Sequence, residues 1–223
     1  MMNTIATVAA AGLLGAQLVL TLVLLRGEIC PGQRGRIHKV LWALVFSWLA
    51  IVPLQVWALL PFATLCGFAV VAKTGKTREK GPLPLLYTAN ILAAVVWVLG
   101  AMQSSALEVV AQLFTVGLVG SAISHLALIQ ARSRLQAFHR ILPVTGIVSA
   151  IGLMLTMLAA TLALPEAQLD SEVWRVGTMS GLLLVGILFW VAHIVTQKPA
   201  QKLLILGALV CVSFSSVMVS AFV

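Results

Sequence analysis

Charged residues are scarce in this chain: Asp, Glu, Lys and Arg make up only 9% of its 223 residues, against about 25% in a typical soluble domain. Hydrophobic residues account for 61% of the sequence, and the mean hydropathy is +1.10. Several stretches contain no charged residue, namely 1–25, 40–72, 81–107, 109–131, 141–165, 176–197 and 203–223. A helix of about 20 apolar residues crosses the hydrocarbon core of a bilayer. The scarcity of charge excludes a large soluble domain and predicts an all-α polytopic membrane protein.

The residues on which most enzyme mechanisms depend are also rare. Asp170 is the only aspartate and falls between two apolar stretches, and the three cysteines form no C-x-x-C pair. The sequence lacks the serine-hydrolase G-x-S-x-G, the zinc-protease H-E-x-x-H and the phosphate-binding G-x-x-x-x-G-K-[ST] motifs. No carboxylate lies at the centre of an apolar stretch, which disfavours a pump driven by a buried acid. We therefore expect no enzymatic chemistry from this chain alone.

Basic residues are confined to short segments between the apolar stretches, with Arg175 as the one exception. The segments hold Arg26, Arg34, Arg36 and Lys39; Lys73, Lys76, Arg78 and Lys80; Arg132, Arg134 and Arg140; and Lys198 and Lys202. The net charge of +8 does not indicate nucleic-acid binding, because these segments are too short to form a basic recognition surface. Basic residues that flank spans determine orientation and contact anionic headgroups. They predict a protein of the cell inner membrane, with both termini outside the cytosol.

Segment 40–72 decides the number of crossings. A single long helix would place the basic segments before and after it on opposite sides of the membrane. A hairpin that turns near Pro53 and Gln55 would place every basic segment on the cytosolic side, as the positive-inside rule prefers. We predict the hairpin and hence eight transmembrane helices, with seven as the alternative.

Several short motifs recur along the chain and predict a duplication. Gly12-Leu-Leu-Gly15-Ala16 resembles Gly117-Leu-Val-Gly120-Ser121, and each precedes a basic segment that ends in an apolar residue, His and a basic residue. The simplest account is two parallel four-helix repeats, residues 1–108 and 109–223. Parallel repeats are found in transporters and also in membrane redox proteins. The eight-span outline is similar to that of haem A synthases, whose histidines lie near the outer face; here the histidines are predicted on the inner side, so that activity is not carried over.

Polar side chains within the predicted spans are few, and one interpretation is that they line a path for a solute. Those singled out are Gln17, Tyr87, Asn90, Ser121, Thr145 and Ser149. Tyr87 and Asn90 are three residues apart and are expected to face the bundle interior together. Small residues four apart, such as Gly12 with Ala16 and Gly177 with Gly181, favour close helix packing, and hydroxyls on such faces can be satisfied by a neighbouring helix.

The four histidines are all predicted in the cytosolic half. His125 and His193 lie near the inner ends of the fifth and seventh spans, so their imidazoles should sit at similar depth. Two imidazoles at equal depth on different helices can bind a metal or clamp haem b. His38 and His139 stand beside Lys39 and Arg140 and are expected to be interfacial. The alternative to a cofactor site is a purely structural role for all four histidines.

The sequence therefore supports two classes of function. The first is a small-solute transporter or facilitator, or a membrane subunit of a larger complex with other membrane proteins as partners. The second is a haem- or metal-binding redox protein that uses His125 and His193. In either case a cytosolic cluster is expected to contact anionic lipids or an acidic partner, and its members are Arg34, Arg36, Lys39, Arg132, Arg134 and Arg140.

Overall fold

The computed structural model describes residues 2–27, 29–72, 81–132 and 135–223, with the side chain of Gln136 also left out. The predicted contact residue Arg134 and the basic segment 73–80 lie outside the described residues. Over the described ranges the chain forms eight α-helices and one short 3-10 helix, which precedes α3. They are α1 Met2–Arg26, α2 Pro31–Ile51, the 3-10 helix Val56–Ala58, α3 Leu59–Val71, α4 Leu83–Ala101, α5 Ala106–Gln130, α6 Gln136–Leu162, α7 Glu166–Val195 and α8 Lys202–Ser220.

Helix boundaries follow the local sequence. Pro31 occupies the first position of α2, where its missing N–H would have no intrahelical partner in any case. Ser105 caps α5 by accepting a hydrogen bond from the backbone N–H of Glu108 at 3.0 Å. Pro165 precedes α7, and Glu166 in its first turn interacts favourably with the positive end of the helix dipole.

The chain reverses direction within segment 40–72, at the position expected for a hairpin. Backbone hydrogen bonds from Leu54 and Gln55 to the carbonyl of Ile51 close the turn. α3 then runs back along α2, and its Phe68 ring lies 5.7 Å from the ring of His38 near the start of α2. That both arms of this hairpin cross a bilayer stays a prediction.

The two halves of the molecule pack their helices in the same cyclic order. In the first half α1 and α3 each contact both α2 and α4, and in the second half α5 and α7 each contact both α6 and α8. α1 and α5 form the main contact between the halves. The predicted boundary at residue 108 falls in the first turn of α5, so the connection between the halves is 102–105. A duplication is compatible with this arrangement and stays a prediction.

α1 and α5 cross closely because glycines replace side chains at the crossing. A Cβ on Gly120 would lie 2.6 Å from Cα of Gly15, and a Cβ on Gly15 would overlap the carbonyl oxygen of Val116. Such small-residue faces allow backbones to approach within a membrane. The predicted packing role holds for Gly12, whose added Cβ would meet Val119 at 2.6 Å. It is wrong for Gly177, which has nothing within 4 Å among the described residues, because none of them packs against this face of α7.

The bundle has two ends that differ in charge. We call the end where α1 starts the distal end; it holds Asn3, Trp57 and Gln103, which line one pocket. We call the opposite end the basic end, where α1 stops at Arg26. At this end Leu135, which follows α5, lies 3.4 Å from a Cβ built on Gly27, which follows α1. The C-terminal ends of α1 and α5 therefore lie at the same end of the bundle, and the two helices run in the same direction.

Six of the described helices are long and apolar enough to cross a membrane, namely α1, α4, α5, α6, α7 and α8. α2 begins with a basic segment, and α3 has only 13 residues; neither is among the six. The length and composition of these helices agree with the prediction of an all-α polytopic protein.

One predicted loop is a helix. Residues 165–175 were expected to form an external loop before a span near 175, but α7 already begins at Glu166. An ion pair joins Arg175 to Glu172, three residues earlier, at 2.9 Å. Polar residues in this register stabilise a solvated helix extension, and hydropathy alone does not detect such a segment.

Candidate functional site

A polar pocket opens at the distal end, between α1, the 52–58 turn, α4 and the start of α5. Its volume is about 400 Å³. The residues with amide, hydroxyl or carboxylate side chains that line it are Asn3, Thr4, Thr7, Gln55, Gln103, Ser104 and Glu108. The lining therefore combines amides and hydroxyls with a single carboxylate.

The carboxylate of Glu108 is positioned by the way α5 begins. Ser105 and Glu108 stand in the S-x-x-E spacing of a capping box, and the Ser105 hydroxyl accepts from the Glu108 backbone. One turn further on, Nε2 of Gln112 donates to Oε1 of Glu108 at 3.2 Å and to the Ser104 hydroxyl at 3.1 Å. No basic side chain forms an ion pair with Glu108 in the described part of the chain. The pocket thus presents a fixed carboxylate that lacks a cationic partner there.

Two buried amide oxygens beside the pocket lack hydrogen-bond donors among the described residues. Gln55 donates from Nε2 to the carbonyl of Val96 at 3.1 Å, but its Oε1 has no partner. The Oε1 of fully buried Gln112 has none either. Buried acceptors without a donor are uncommon and costly. They mark this end of the bundle as a place where a donor group could be received.

A second polar group lies deeper in the same half and joins α1, α2 and α4. Nε2 of Gln17 donates to Oδ1 of Asn90 at 2.9 Å, and Nε1 of Trp48 donates to Oε1 of Gln17 at 3.0 Å. Nδ2 of Asn90 donates to the Thr21 hydroxyl at 3.0 Å. Gln17 and Trp48 are fully buried. We call these four residues the amide network.

The second half holds a cluster of aromatic nitrogen groups near the basic end. Nε1 of Trp190 donates to Nδ1 of His125 at 2.8 Å, and Nε2 of His125 lies 3.0 Å from Nδ1 of His139. The rings of His125 and His193 are 5.3 Å apart between centroids. His193 donates from Nδ1 to the carbonyl of Trp190 at 2.7 Å. We call His125, His139, Trp190 and His193 the imidazole cluster.

The hydrogen bonds assign the tautomers within the imidazole cluster. Nδ1 of His125 accepts from an indole that can only donate, so the proton of neutral His125 is on Nε2 and points to His139. Both ring nitrogens of His125 are therefore occupied by protein groups. His193 carries its proton on Nδ1, and its buried Nε2 has no partner among the described residues. The described residues include no group of three His, Cys, Asp or Glu arranged to hold a metal ion.

The predicted intramembrane polar residues divide into those that meet and those that do not. Gln17 and Asn90 are bonded to each other, but the expectation that Tyr87 shares their interior face is wrong, since its side chain is 45% exposed. Ser121 donates to the Gly117 carbonyl of its own helix. Thr145 likewise donates to the Ile141 carbonyl at 3.0 Å. The donor of each of these two hydroxyls is therefore satisfied within its own helix, and their place along a solute path stays a prediction.

Ser149 packs in a helix contact rather than along a path. A Cβ on Gly117 of α5 would overlap its hydroxyl, so Ser149 of α6 faces that helix closely. Its side chain is buried. The packing interpretation of the small-residue stripe on α6 therefore applies at this position.

The predicted basic contact residues lie mainly on the surface of the basic end. Arg36 donates from Nε to the carbonyl of Ala131 at 2.7 Å and so links α2 to the end of α5. Lys39, Arg132 and Arg140 are exposed, whereas Arg34 is half-buried.

His38 and His139 differ from the expectation that they are interfacial basic residues. His38 is fully buried against Phe68, because the α2–α3 hairpin closes over it. His139 contacts His125. The sequence did contain a signal for the contact between His125 and His139. His125 lies five residues before the end of α5 and His139 lies near the start of α6, so antiparallel packing of these two helices brings the histidines to one depth. Nothing in the sequence indicated that Trp190 would donate to His125.

Residues 2–222 match the model of a protein family described as an integral membrane domain. The chain belongs to this family and is a multi-pass membrane protein. It is also similar to an uncharacterized protein of Haemophilus influenzae, with 34% identity over 217 residues that cover 86% of this chain and 74% of the relative. No solved structure matches the chain.

Proposed function

We propose that this protein is a facilitator for a small polar solute and that the distal pocket is the site where the solute binds. The observation that carries the proposal is that two sets of polar side chains, the distal pocket and the amide network, lie along the same helices in the first half of the chain. The pocket lies between α1, the 52–58 turn and α4, and the amide network joins α1, α2 and α4. Thr7 at the pocket and Gln17 in the network are ten residues apart on α1, a rise of about 15 Å.

The chemistry of the pocket indicates the class of solute. Glu108 supplies one negative charge, and Gln55, which also lines the pocket, has an unpartnered Oε1 among the described residues that can accept from an N–H or O–H group. A site that offers acceptors and one carboxylate favours small neutral donors, such as polyols and amides, and small organic cations. It disfavours anions.

The closed part of the route lies between the pocket and the amide network. In that interval α1 carries the buried apolar side chains of Ala10, Leu13 and Leu14. The arrangement corresponds to a bundle that is accessible from the distal end and closed toward the basic end. Transport would then require α1 and α4 to separate in this interval, between the pocket and the amide network.

The proposal includes a topology. We infer eight crossings, formed by two parallel repeats, with the basic end in the cytosol and both termini outside an inner membrane. The positive-inside rule supports this orientation, and the shared cyclic order of helix contacts supports the repeats.

Flux through reconstituted vesicles tests the proposal. Liposomes that contain the purified protein would be mixed rapidly with a solution of glycerol, urea or methylammonium. The change in liposome volume as the solute enters would be followed by stopped-flow light scattering. We expect flux of at least one probe above that of protein-free vesicles. Glu108→Gln should reduce methylammonium flux by about tenfold, the equivalent of roughly 1.4 kcal/mol of lost attraction. Glu166→Gln, which removes an exposed carboxylate outside the pocket, is the matched control and should not.

Absence of flux for all three probes with folded protein would contradict the facilitator proposal. It would favour the alternative within the same class, a membrane subunit whose partner supplies the activity. Equal loss of flux in Glu108→Gln and Glu166→Gln would contradict the assignment of the pocket.

A haem- or metal-binding redox role is the second candidate, and the buried Nε2 of His193 favours it. The hydrogen bonds at both nitrogens of His125 weigh against the pair His125 and His193, because a ligand nitrogen needs a free lone pair. A visible absorption spectrum of protein purified from haem-supplied cells distinguishes the candidates. A reducible Soret band that disappears in His193→Ala would support the redox role, and colourless wild-type protein without bound metal would oppose it.

A further inference from the structure

A groove of about 370 Å³ runs along the outer side of α6, away from the distal pocket. The residues that line it are Arg140, Ile141, Val144, Thr145, Val148 and Ser149. They extend over ten residues of helix, a rise of about 13 Å from Arg140 to Ser149. The groove begins at the basic end with Arg140 and becomes apolar toward the middle of the helix.

The apolar part of the groove is open to the side. Ile141, Val144 and Val148 are 55%, 56% and 61% exposed. Thr145 donates its hydroxyl to the Ile141 carbonyl, so it adds little unsatisfied polarity to the lining. In a bilayer this surface would meet hydrocarbon chains.

The charged end of the groove has no acidic partner within the described residues. Arg140 is exposed and forms no ion pair there, and no acidic residue lies in the first turn of α6. Arg36 and Arg132 add positive charge at the same end. A guanidinium group binds a phosphate through paired hydrogen bonds, and anionic leaflets attract such clusters.

We propose that this groove binds one anionic phospholipid, with its phosphate on Arg140 and an acyl chain along Ile141, Val144 and Val148. Charge complementarity selects the headgroup, and the sideways-open apolar lining selects the chain. A second copy of the protein would cover the apolar residues, but the described residues of its basic end include no carboxylate to complement Arg140.

Competition between headgroups tests the site. Detergent-solubilised protein would be mixed with phosphatidylglycerol or phosphatidylcholine of matched chains, and bound lipid counted by native mass spectrometry. We expect at least a fivefold preference for phosphatidylglycerol in wild-type protein. Arg140→Gln should lose this preference, while Lys198→Gln, which removes an exposed cation outside the groove lining, should retain it.

A second variant tests the apolar half independently of charge. Val144→Trp should fill the groove and reduce phosphatidylglycerol binding at least fivefold, with Arg140 unchanged. Leu158→Trp, on an exposed position of α6 outside the groove, is the matched control and should bind as wild type. Circular dichroism and gel filtration would confirm that each variant is folded.

Three results would overturn the proposal. They are equal binding of the two lipids by wild-type protein, retention of the preference in Arg140→Gln, and binding by Val144→Trp at the wild-type level. A wild-type dimer that Val144→Trp converts to monomer would assign the groove to a second copy instead.

Discussion

The indole N–H of Trp190 donates to Nδ1 of His125 across 2.8 Å, and both side chains are fully buried. Because the indole can only donate, this bond holds His125 in one tautomer and directs its Nε2 proton to His139. The residues lie on α7, α5 and α6, so one chain of hydrogen bonds ties three helices together. α6 and α7 share only a limited contact, which makes this bond important for the position of α7.

Trp190→Phe should destabilise the fold by about 1–2 kcal/mol, because it leaves the buried Nδ1 of His125 without a donor. Hydrogen bonds in membrane proteins average about 0.6 kcal/mol, so part of the loss would come from the smaller ring. Unfolding in mixed micelles with increasing dodecyl sulfate would measure the free energy difference.

Trp97→Phe is the matched control for that change. Nε1 of Trp97 is buried but has no hydrogen-bond partner among the described residues. Its ring is only half-buried, so the smaller ring should change stability by less than about 0.5 kcal/mol. Equal destabilisation by both substitutions would show that ring volume, not the bond to His125, accounts for the effect of Trp190→Phe.

The amide network should show energetic coupling between its members. Gln17→Ala and Asn90→Ala each break the 2.9 Å bond between Nε2 and Oδ1, so the double variant should lose less stability than the sum of the single ones. We expect a coupling energy of about 1 kcal/mol. Gln17 with Thr156, which donates within its own helix, serves as the uncoupled pair. Additive effects of Gln17→Ala and Asn90→Ala would contradict the network.

The sequence predicted the depth of these polar residues better than the direction in which they face. Hydropathy and basic segments placed His125 and His193 at one level, and their rings are in contact. The same method failed for Tyr87, because a step of three residues rotates a side chain by about 300° in an ideal helix, and the packing of α4 turns Asn90 inward and Tyr87 outward.

The distal pocket was not predicted because it depends on contacts between distant segments. Gln55, Gln103 and Glu108 are unremarkable as sequence positions near span ends. They become one site only when the 52–58 turn packs beside the ends of α4 and the start of α5. The eight helices themselves were predictable, since runs without charge and the prolines that flank them are local signals.

Gly15→Ala should prevent the close crossing of α1 and α5. Its Cβ would overlap the backbone of Val116, and backbone cannot rotate away as a side chain does. Overpacking of this kind costs about 1–3 kcal/mol, and we expect a matching fall in the free energy of unfolding. Gly177→Ala adds the same group where nothing lies within 4 Å. It should stabilise the helix by up to about 1 kcal/mol, and destabilisation by both substitutions would contradict the crossing.

Cysteine labelling tests the eight-crossing topology at the hairpin. In a background with Cys30, Cys66 and Cys211 replaced, single cysteines would be introduced at Asn3, Trp57, Lys39 and Arg140. A membrane-impermeant maleimide added to intact cells should modify Asn3→Cys and Trp57→Cys, which lie at the distal end, but not Lys39→Cys or Arg140→Cys until the cells are permeabilised. Trp57 is 56% exposed, so its accessibility is not limited by burial.

The result depends on whether Trp57→Cys and Lys39→Cys are modified from the same side of the membrane or from opposite sides. α2 runs about 18 Å from Lys39 to its end at Ile51, at about 1.5 Å per residue, and the turn that leads to Trp57 follows. This is a large part of the roughly 30 Å of hydrocarbon. Modification of both from the same side would show that the hairpin does not cross, because the basic segments would then divide between the two faces. Modification of Lys39→Cys and Arg140→Cys alone would retain the eight crossings but invert the protein in the membrane, against the positive-inside rule. The distal pocket would then open to the cytosol, and solute uptake would have to begin at the basic end.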